Sequence, residues 1–352
     1  MPTYLEPAAL HDLVEVAVSP MGQLRQLIAL PGGASVRHYH RGFISAGSID
    51  RFLVMELGES PQFSDEVSAG KVSELPFLNV QRYLASRGLP VPLIYQYDEK
   101  SGLLYLEDFG DITFESKVAG ADIETQRDYY ERAITQLVKI QAVSRETPDP
   151  ACIAFSRSFD FKLLKWELDH FVEFELDAVG IMLPTAERAE LDRQFTRIAE
   201  ELHAQPTTFV HRDYQSRNLM ILNDGRLGIL DFQDALLGNS AYDLVGLLRD
   251  SYVVLPPALV DDLVDFFVAS SGPHLDSDFR RLFFLQVVQR KLKDAGRFVF
   301  IDKKKNNRGF LRHIPSSLDY VAAALQKLPE LDSVGAILER HTAPLRQLAR
   351  LT

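Results

Sequence analysis

Cysteine is almost absent from this sequence: Cys152 is the only one in 352 residues. No intrachain disulfide can form and no thiolate metal cage can be assembled, and Cys152 itself reads as a small apolar filler. An excess of positive charge is absent too. The formal net charge is −11, which argues against a general nucleic-acid binder, because affinity for a phosphate backbone is carried by clustered Lys and Arg. Long apolar runs are missing; stretches such as Val260 to Ser270 are interrupted by charge and too short to span a bilayer. Met1 to Leu13 has no cationic segment ahead of an apolar one, and Glu6 and Asp12 break it, so it does not read as a secretory signal. Internal repeats and low-complexity segments are lacking, and Lys303 to Arg308 is the one strong charge run. These absences point to a cytoplasmic protein with neither nucleic acid nor membrane as partner.

What is present is close to the soluble globular average, with 46% hydrophobic and 25% charged residues. The length allows two lobes, each with its own core. Leu5 to Val18 carries apolar residues at helical spacing and reads as an opening helix. Gln23 to Leu30 and Val36 to Arg41 alternate like strands around Pro31-Gly32-Gly33-Ala34-Ser35, a hairpin pattern, and Arg51 to Leu57 is a third strand. A small-residue turn between the first two of three antiparallel strands is the arrangement that lays a loop over nucleotide phosphates. Pro76 to Arg87 reads as a helix stopped by Gly88, followed by strands at Val91 to Tyr97 and Gly102 to Glu107. The second ends in Glu107-Asp108-Phe109-Gly110-Asp111, either a hinge presenting backbone groups to an adenine edge or an ordinary acidic turn. Helices follow at Ile123 to Val143, Phe159 to Gly180, Ala186 to His203, Tyr242 to Leu255, Pro257 to Ser270 and Asp278 to Phe300. A strand-rich front and a helix-rich back predict an α+β bilobal, protein-kinase-like fold. The small antiparallel-sheet lobe covers residues 1–110 with a hinge near 107–111, and the mostly helical lobe covers 111–352.

The chemistry concentrates in Phe209 to Leu222 and Gly228 to Asp234. In His211-Arg212-Asp213-Tyr214-Gln215-Ser216-Arg217-Asn218 four residues separate Asp213 from Asn218, and Asp231 follows a short hairpin turned at Asn223-Asp224-Gly225. Phosphoryl transfer needs a carboxylate within reach of the attacking hydroxyl and hard oxygen ligands for Mg²⁺ on the ATP phosphates. Asp213 suits the first role, and Asn218 with Asp231, brought together at the base of the hairpin, suits the second. His211 and Arg212 read as structural supports of the loop. Asp243 reads either as a buried loop anchor or as a helix N-cap.

These residues, with Leu230-Asp231-Phe232-Gln233-Asp234-Ala235 and Tyr242-Asp243-Leu244-Val245, resemble the aminoglycoside phosphotransferase family, kinase-like enzymes that phosphorylate small-molecule hydroxyls with ATP and Mg²⁺. A narrower likeness runs from about residue 30 to about residue 325. Ala34 to Arg41, Leu53-Val54-Met55, Leu247 to Tyr252 and Val288 to Lys293 are similar to the anomeric N-acetylmuramate/N-acetylglucosamine kinases of bacterial cell-wall recycling. The resemblance implies a free sugar as phosphoryl acceptor.

Two departures stand out. A kinase third strand usually supplies a Lys to the phosphates, and Met55 fills that slot here; Arg37 or Arg41 is the expected substitute. Gln215 stands where the narrower family often has His. Ser35, Arg37, Arg41, Glu107 and Phe109 are the expected nucleotide-binding residues. On the acceptor side Arg249, Gln289, Arg290 and Lys293 offer donors, and the acidic helix Trp166 to Glu175 offers acceptors for sugar hydroxyls. Arg290 and Lys293, three apart, could equally form a solvated helix face. A basic acceptor side favours a sugar over a polycationic aminoglycoside. An aminoglycoside, choline or homoserine as acceptor, and a catalytically silent kinase-like binding module, remain as alternatives.

Overall fold

The computed structural model describes residues 4–31, 37–58, 74–272, 275 and 278–348. The Gly32 to Ser35 turn, and with it Ser35, lies outside the described residues. The first element is helix α1 (Pro7–Val18), followed by five strands: β1 (Gln23–Ala29), β2 (His38–Ser45), β3 (Arg51–Glu56), β4 (Ile94–Asp98) and β5 (Leu103–Leu106). They form an antiparallel sheet in the order β1-β2-β3-β5-β4, with helix α2 (Pro76–Ser86) inserted between β3 and β4. The strand expected from Val91 begins only at Ile94, because Pro90 and Pro92 cannot donate to a ladder.

Side chains on this sheet alternate between two cores, as a period of two requires. Phe52, Val54, Leu103 and Tyr105 pack on one side with Leu10, Val14 and Val18 of α1. Met55, Leu104 and Leu106 point the other way, into the large core shared with α2 and the helical lobe. Met55 is therefore a fully buried core side chain. An apolar residue serves that position well, and a Lys there would have to be desolvated.

After the sheet come α3 (Phe114–Val118), α4 (Ile123–Glu146), α5 (Phe161–His170) and α6 (Thr185–His203). Two small ladders follow: β6 (Thr207–Val210) pairs with β9 (Leu236–Asn239), and β7 (Leu219–Ile221) with β8 (Leu227–Ile229). Then come α7 (Ala241–Leu248), α8 (Pro257–Ser271), α9 (Phe279–Lys305), α10 (Ile314–Leu325), α11 (Asp332–His341) and α12 (Ala343–Leu348). Of the charge run at residues 303–308, the first three close α9, Asn306 ends it in the left-handed conformation, and Arg308 opens a 3₁₀ helix over Arg308–His313.

Two expected helices are cut short. The segment after Tyr242 leaves helical geometry at Leu248, because Asp250 turns its carboxylate onto the backbone N–H groups of Ser216 and Tyr252. The segment after Phe159 is α-helical only to His170 and continues as a π-helix over Phe171–Leu176. Helix α9 meets this join closely: a Cβ on Gly296 would lie 2.9 Å from Phe171 Cα and 3.0 Å from the His170 carbonyl. The π segment also buries Glu175 completely, with no hydrogen-bond partner for either oxygen among the described residues. Burial alone pushes this carboxyl up to about 8.

Gly296→Ala is expected to lower stability by about 1–3 kcal/mol, read in urea unfolding; a neutral substitution would mean that α9 does not sit against Phe171. The Glu175 proton is bound more tightly in the folded chain than in the unfolded one, whose value is near 4.3. Stability should therefore fall as pH rises from that value through about 8. Melting temperatures at pH 6 and pH 9 should differ more for the natural chain than for Glu175→Gln.

Candidate active site

Residues 211–218 connect β6 to β7 and make no ladder of their own, so their backbone groups need other partners. Asp243, in the first turn of α7, supplies them: its two oxygens accept from the N–H groups of His211 (2.6 Å) and Arg212 (3.0 Å). Asp243 is completely buried. Burial raises its carboxyl to about 7, with these N–H donors and Arg290 pulling against that rise. It is a buried loop anchor. Further along, Asp250 accepts from Ser216 N at 2.9 Å, and Leu230 N–H donates to the Asn218 carbonyl at 2.9 Å.

Arg212 adopts φ +75°, a left-handed conformation that costs a branched-free but bulky residue on the order of 1 kcal/mol. The surroundings hold it there. Its guanidinium is buried beside Glu167 (3.8 Å) and over the Phe159 ring (5.5 Å), and its carbonyl accepts from Arg290 Nη1 at 2.6 Å. The turn aims Asp213 outward. His211 behind it is buried, with burial holding its ring neutral at about 4, edge-on to Tyr214 at 5.9 Å.

Asp213 and Asp231 differ in electrostatic character although both are hemmed in by protein and open to solvent on one side, with 42% and 46% of their side chains exposed. Burial acts to raise Asp213, but Lys293, Arg290 and Arg212 outweigh it and hold the carboxyl below its ordinary value. Arg290 Nη2 lies 3.8 Å from Asp213 Oδ1. Asp231, at φ +63°, is raised by burial and then by the Asp213 carboxylate, against Gln233 and Arg37. Gln233 Nε2 donates to Asp231 Oδ1 at 2.8 Å, and Arg37 Nη1 approaches the same oxygen to 3.9 Å.

Asn218 Nδ2 donates to the Asp213 carbonyl at 2.8 Å, which leaves its amide oxygen as the acceptor. Asp231 and Asn218 thus offer hard oxygens near Asp213, whose carboxylate repels that of Asp231, a donor set suited to a divalent cation such as Mg²⁺.

Of the expected nucleotide residues, Arg37 reaches Asp231. Arg41 is engaged on the β5 side of the sheet. It clips β2 to the hinge, with Nε 2.6 Å from Asp108 Oδ2, Nη1 2.7 Å from Asp111 and Nη2 near the Gly110 carbonyl. Glu107 pairs through its N–H and its carboxylate with the backbone of Leu93. Phe109 lies on β8, its ring 2.5 Å from where a Cβ on Gly228 would stand. The chain past the hinge is laced to the catalytic segment through Ile221 N to Ile112 O (2.8 Å) and Glu115 N to Ser216 O (3.0 Å).

On the acceptor side the four expected residues separate. Arg290 and Lys293 face Asp213 rather than forming a solvated helix face. Gln289 is fully buried and joins a chain of amides, accepting from Gln286 (2.6 Å) and donating to Glu167 (2.6 Å); it braces the support of Arg212. Arg249 stacks over Tyr320 at 5.2 Å and shares charge with Asp261. The acidic helix offers fewer acceptors than expected, because Glu167 and Glu175 are both buried. Sequence reasoning missed Asp294. Lys291 Nζ donates to it at 2.8 Å and Lys293 Nζ lies 3.7 Å away; burial opposes its ionisation, but Lys291, Lys293 and Arg290 drive its pKa far below the usual range. The only signal was its place next to two lysines. It also missed Arg217, held by Glu115 at 2.7 Å and over the Tyr252 ring at 3.5 Å.

Asp243→Ala leaves two buried N–H groups unpaired, at about 1–3 kcal/mol each, and should lower the thermal midpoint clearly. Asp243→Asn, which keeps one oxygen, should lower it less; an Ala variant that melts like the natural chain would show that the loop does not depend on this carboxylate.

The comparisons with known proteins agree with this geometry. The sequence profile of the phosphotransferase enzyme family matches residues 27–277. The N-acetylmuramate/N-acetylglucosamine kinase of Pseudomonas putida is 31% identical over 91% of this chain and 89% of its own length. The N-acetylmuramate/N-acetylglucosamine kinase of Neisseria meningitidis is 33% identical over 87% of each. Among solved structures, the choline kinase LicA of Streptococcus pneumoniae superposes with a TM-score of 0.60 at 12% identity, covering 89% of this chain and 99% of that one, a likeness of fold. A bilobal α+β fold, a family profile matched over residues 27–277 and relatives matched over most of their length lead to one placement: this chain belongs to the phosphotransferase enzyme family, among the relatives of the N-acetylmuramate/N-acetylglucosamine kinases.

Proposed function

We propose that the protein is an ATP- and Mg²⁺-dependent kinase that phosphorylates the anomeric hydroxyl of N-acetylmuramate or N-acetylglucosamine. The observation that carries the reading is Asp213, an exposed carboxylate kept ionised by Lys293 and Arg290 beside the hard-oxygen pair of Asn218 and Asp231. Asp213 accepts the proton of the acceptor hydroxyl as that oxygen bonds to the γ-phosphorus, while the bond from phosphorus to the bridging oxygen of ADP breaks. Asn218 and Asp231 would hold Mg²⁺, which neutralises charge building on the transferred phosphoryl group. Arg37, 3.9 Å from Asp231, supplies a cation at the end of the cleft where Met55 cannot. Glu107 to Gly110 would receive the adenine.

The acceptor preference rests on charge. Arg290 and Lys293 of α9 face Asp213 and outnumber Asp294 beside them. A polycationic aminoglycoside would meet repulsion there, whereas a neutral or anionic sugar would find donors flanking one ionised acceptor. No described helix is long and apolar enough to cross a membrane, and dependence on ATP favours a cytoplasmic setting.

Asp213→Asn should reduce turnover by roughly 10²–10⁴ while calorimetry finds ATP binding nearly unchanged; near-normal turnover would sink the assignment of the base. With N-acetylmuramate and ATP, ³¹P NMR should show a phosphate on the anomeric oxygen. Phosphate at another position, or transfer only to choline, homoserine or an aminoglycoside, would overturn the acceptor.

A further inference from the structure

Helix α9 sends two amides into the interior of the helical lobe. Gln286 and Gln289 are fully buried, while Leu285, Val288 and Leu292 around them are buried and apolar. Three residues apart, the two amides lie on one face of the helix. Burying a side-chain amide costs stability unless its donors and its acceptor find partners. Here no amide atom of either residue is left without one.

The partners form a single line. The N–H of Ala241, which opens α7, donates to Asn239 Oδ1 at 3.1 Å. Asn239 Nδ2 then donates to Gln286 Oε1 (2.7 Å), Gln286 Nε2 to Gln289 Oε1 (2.6 Å), and Gln289 Nε2 to Glu167 Oε2 (2.6 Å). Both ends impose the direction of every link, because a backbone N–H can only donate and a carboxylate accepts. The other oxygen of Glu167 lies 3.8 Å from Arg212 Nη2. All five side chains from Asn239 to Arg212 are buried, where hydrogen bonds are electrostatically stronger than in water.

The line ends on the residue before Asp213. Arg212 is held at φ +75°, with its N–H on Asp243 and its carbonyl on Arg290, the neighbour of Gln289. Helix α7 therefore reaches Arg212 twice, through Asp243 to the backbone and through four buried side chains to the guanidinium. Apolar side chains of similar volume would give cohesion at no loss of stability. What the amides add is direction.

We propose that Gln286 and Gln289 are positioning residues for phosphoryl transfer. The line from Asn239 to Glu167 fixes the Arg212 side chain and, through the left-handed turn, the direction in which Asp213 meets the acceptor hydroxyl. The inference rests on Asp213 as the base. It makes Gln289, expected from the sequence to bind the acceptor, a residue of kcat rather than of KM.

Met is close to Gln in length and offers no donor. Gln289→Met should lower kcat about ten- to a hundredfold, with KM for ATP and for the sugar nearly unchanged. Gln286→Met, one link further from Arg212, should act in the same way. The double variant should be little worse than Gln289→Met alone, because a line already cut loses little by a second cut. Leu338→Ala in α11, which supplies no residue to the line, gives the comparison: its thermal midpoint should fall while kcat well below that midpoint holds. Glutamine variants that turn over like the natural chain, a raised KM at unchanged kcat, or kcat losses that simply multiply in the double variant overturn the proposal. If Gln289→Met does not fold, kcat and KM of Gln286→Met decide alone. A natural chain that transfers phosphate to neither sugar overturns the proposed reaction and this role with it, a result distinct from an active natural chain matched by its variants.

Discussion

The arrangement of the active site depends on one buried contact, the carboxylate of Asp243 clamped between the N–H groups of His211 and Arg212. A loop that leaves a strand inside the protein exposes backbone donors where no water can serve them. Asp243 satisfies two at once and fixes the loop against α7. Burial makes a charge there expensive, which is why its carboxyl is raised to about 7, and the two donors with Arg290 compensate. The left-handed turn at Arg212 is held by this clamp together with Glu167, Phe159 and Arg290.

From that anchored turn the charges divide the labour of the two acids. Asp213 and Asp231 have comparable exposure and opposite shifts. Environments that push neighbouring carboxyl groups apart are how one site runs distinct roles. Lys293 and Arg290 of α9 keep Asp213 ionised. Asp231, raised by burial and by its neighbour's charge, is the group that gains most from a cation. Helix α9 therefore sets the electrostatics around Asp213, and the bare backbone at Gly296 lets it come close to the join of α5 and the π segment.

The sheet lobe shows how a missing Lys is accommodated. Met55 is sealed into the core, so no charge is left stranded, and the two arginines flanking and within β2 take different posts. Arg41 holds the segment after β5 through Asp108 and Asp111, whereas Arg37 extends to Asp231. Their separation by four residues in an extended segment carries them to different regions of the lobe interface.

The sequence by itself determined the class of fold and the reaction type, and it located the loop between β6 and β7 on which the proposed site is built. Those rest on local patterns: alternation in the strands, the Asp213 to Asn218 spacing, and a turn at Asn223-Asp224-Gly225 whose geometry brings Asn218 and Asp231 together through the pairing of Leu219 with Ile229. Only the tertiary structure decided which distant side chains complete the site. Gln289 and Lys293 stand on one helix four residues apart, yet one is sealed against Glu167 and the other faces Asp213. Arg249 and Arg290 looked equivalent, but α7 carries the first to Tyr320 and α9 carries the second to the catalytic loop. Asp294 gave no motif to find, because its ionisation depends on three cations assembled around it by the fold. A side chain's spacing along the chain is local, whereas its burial and its neighbours' charges are properties of packing between elements far apart in sequence.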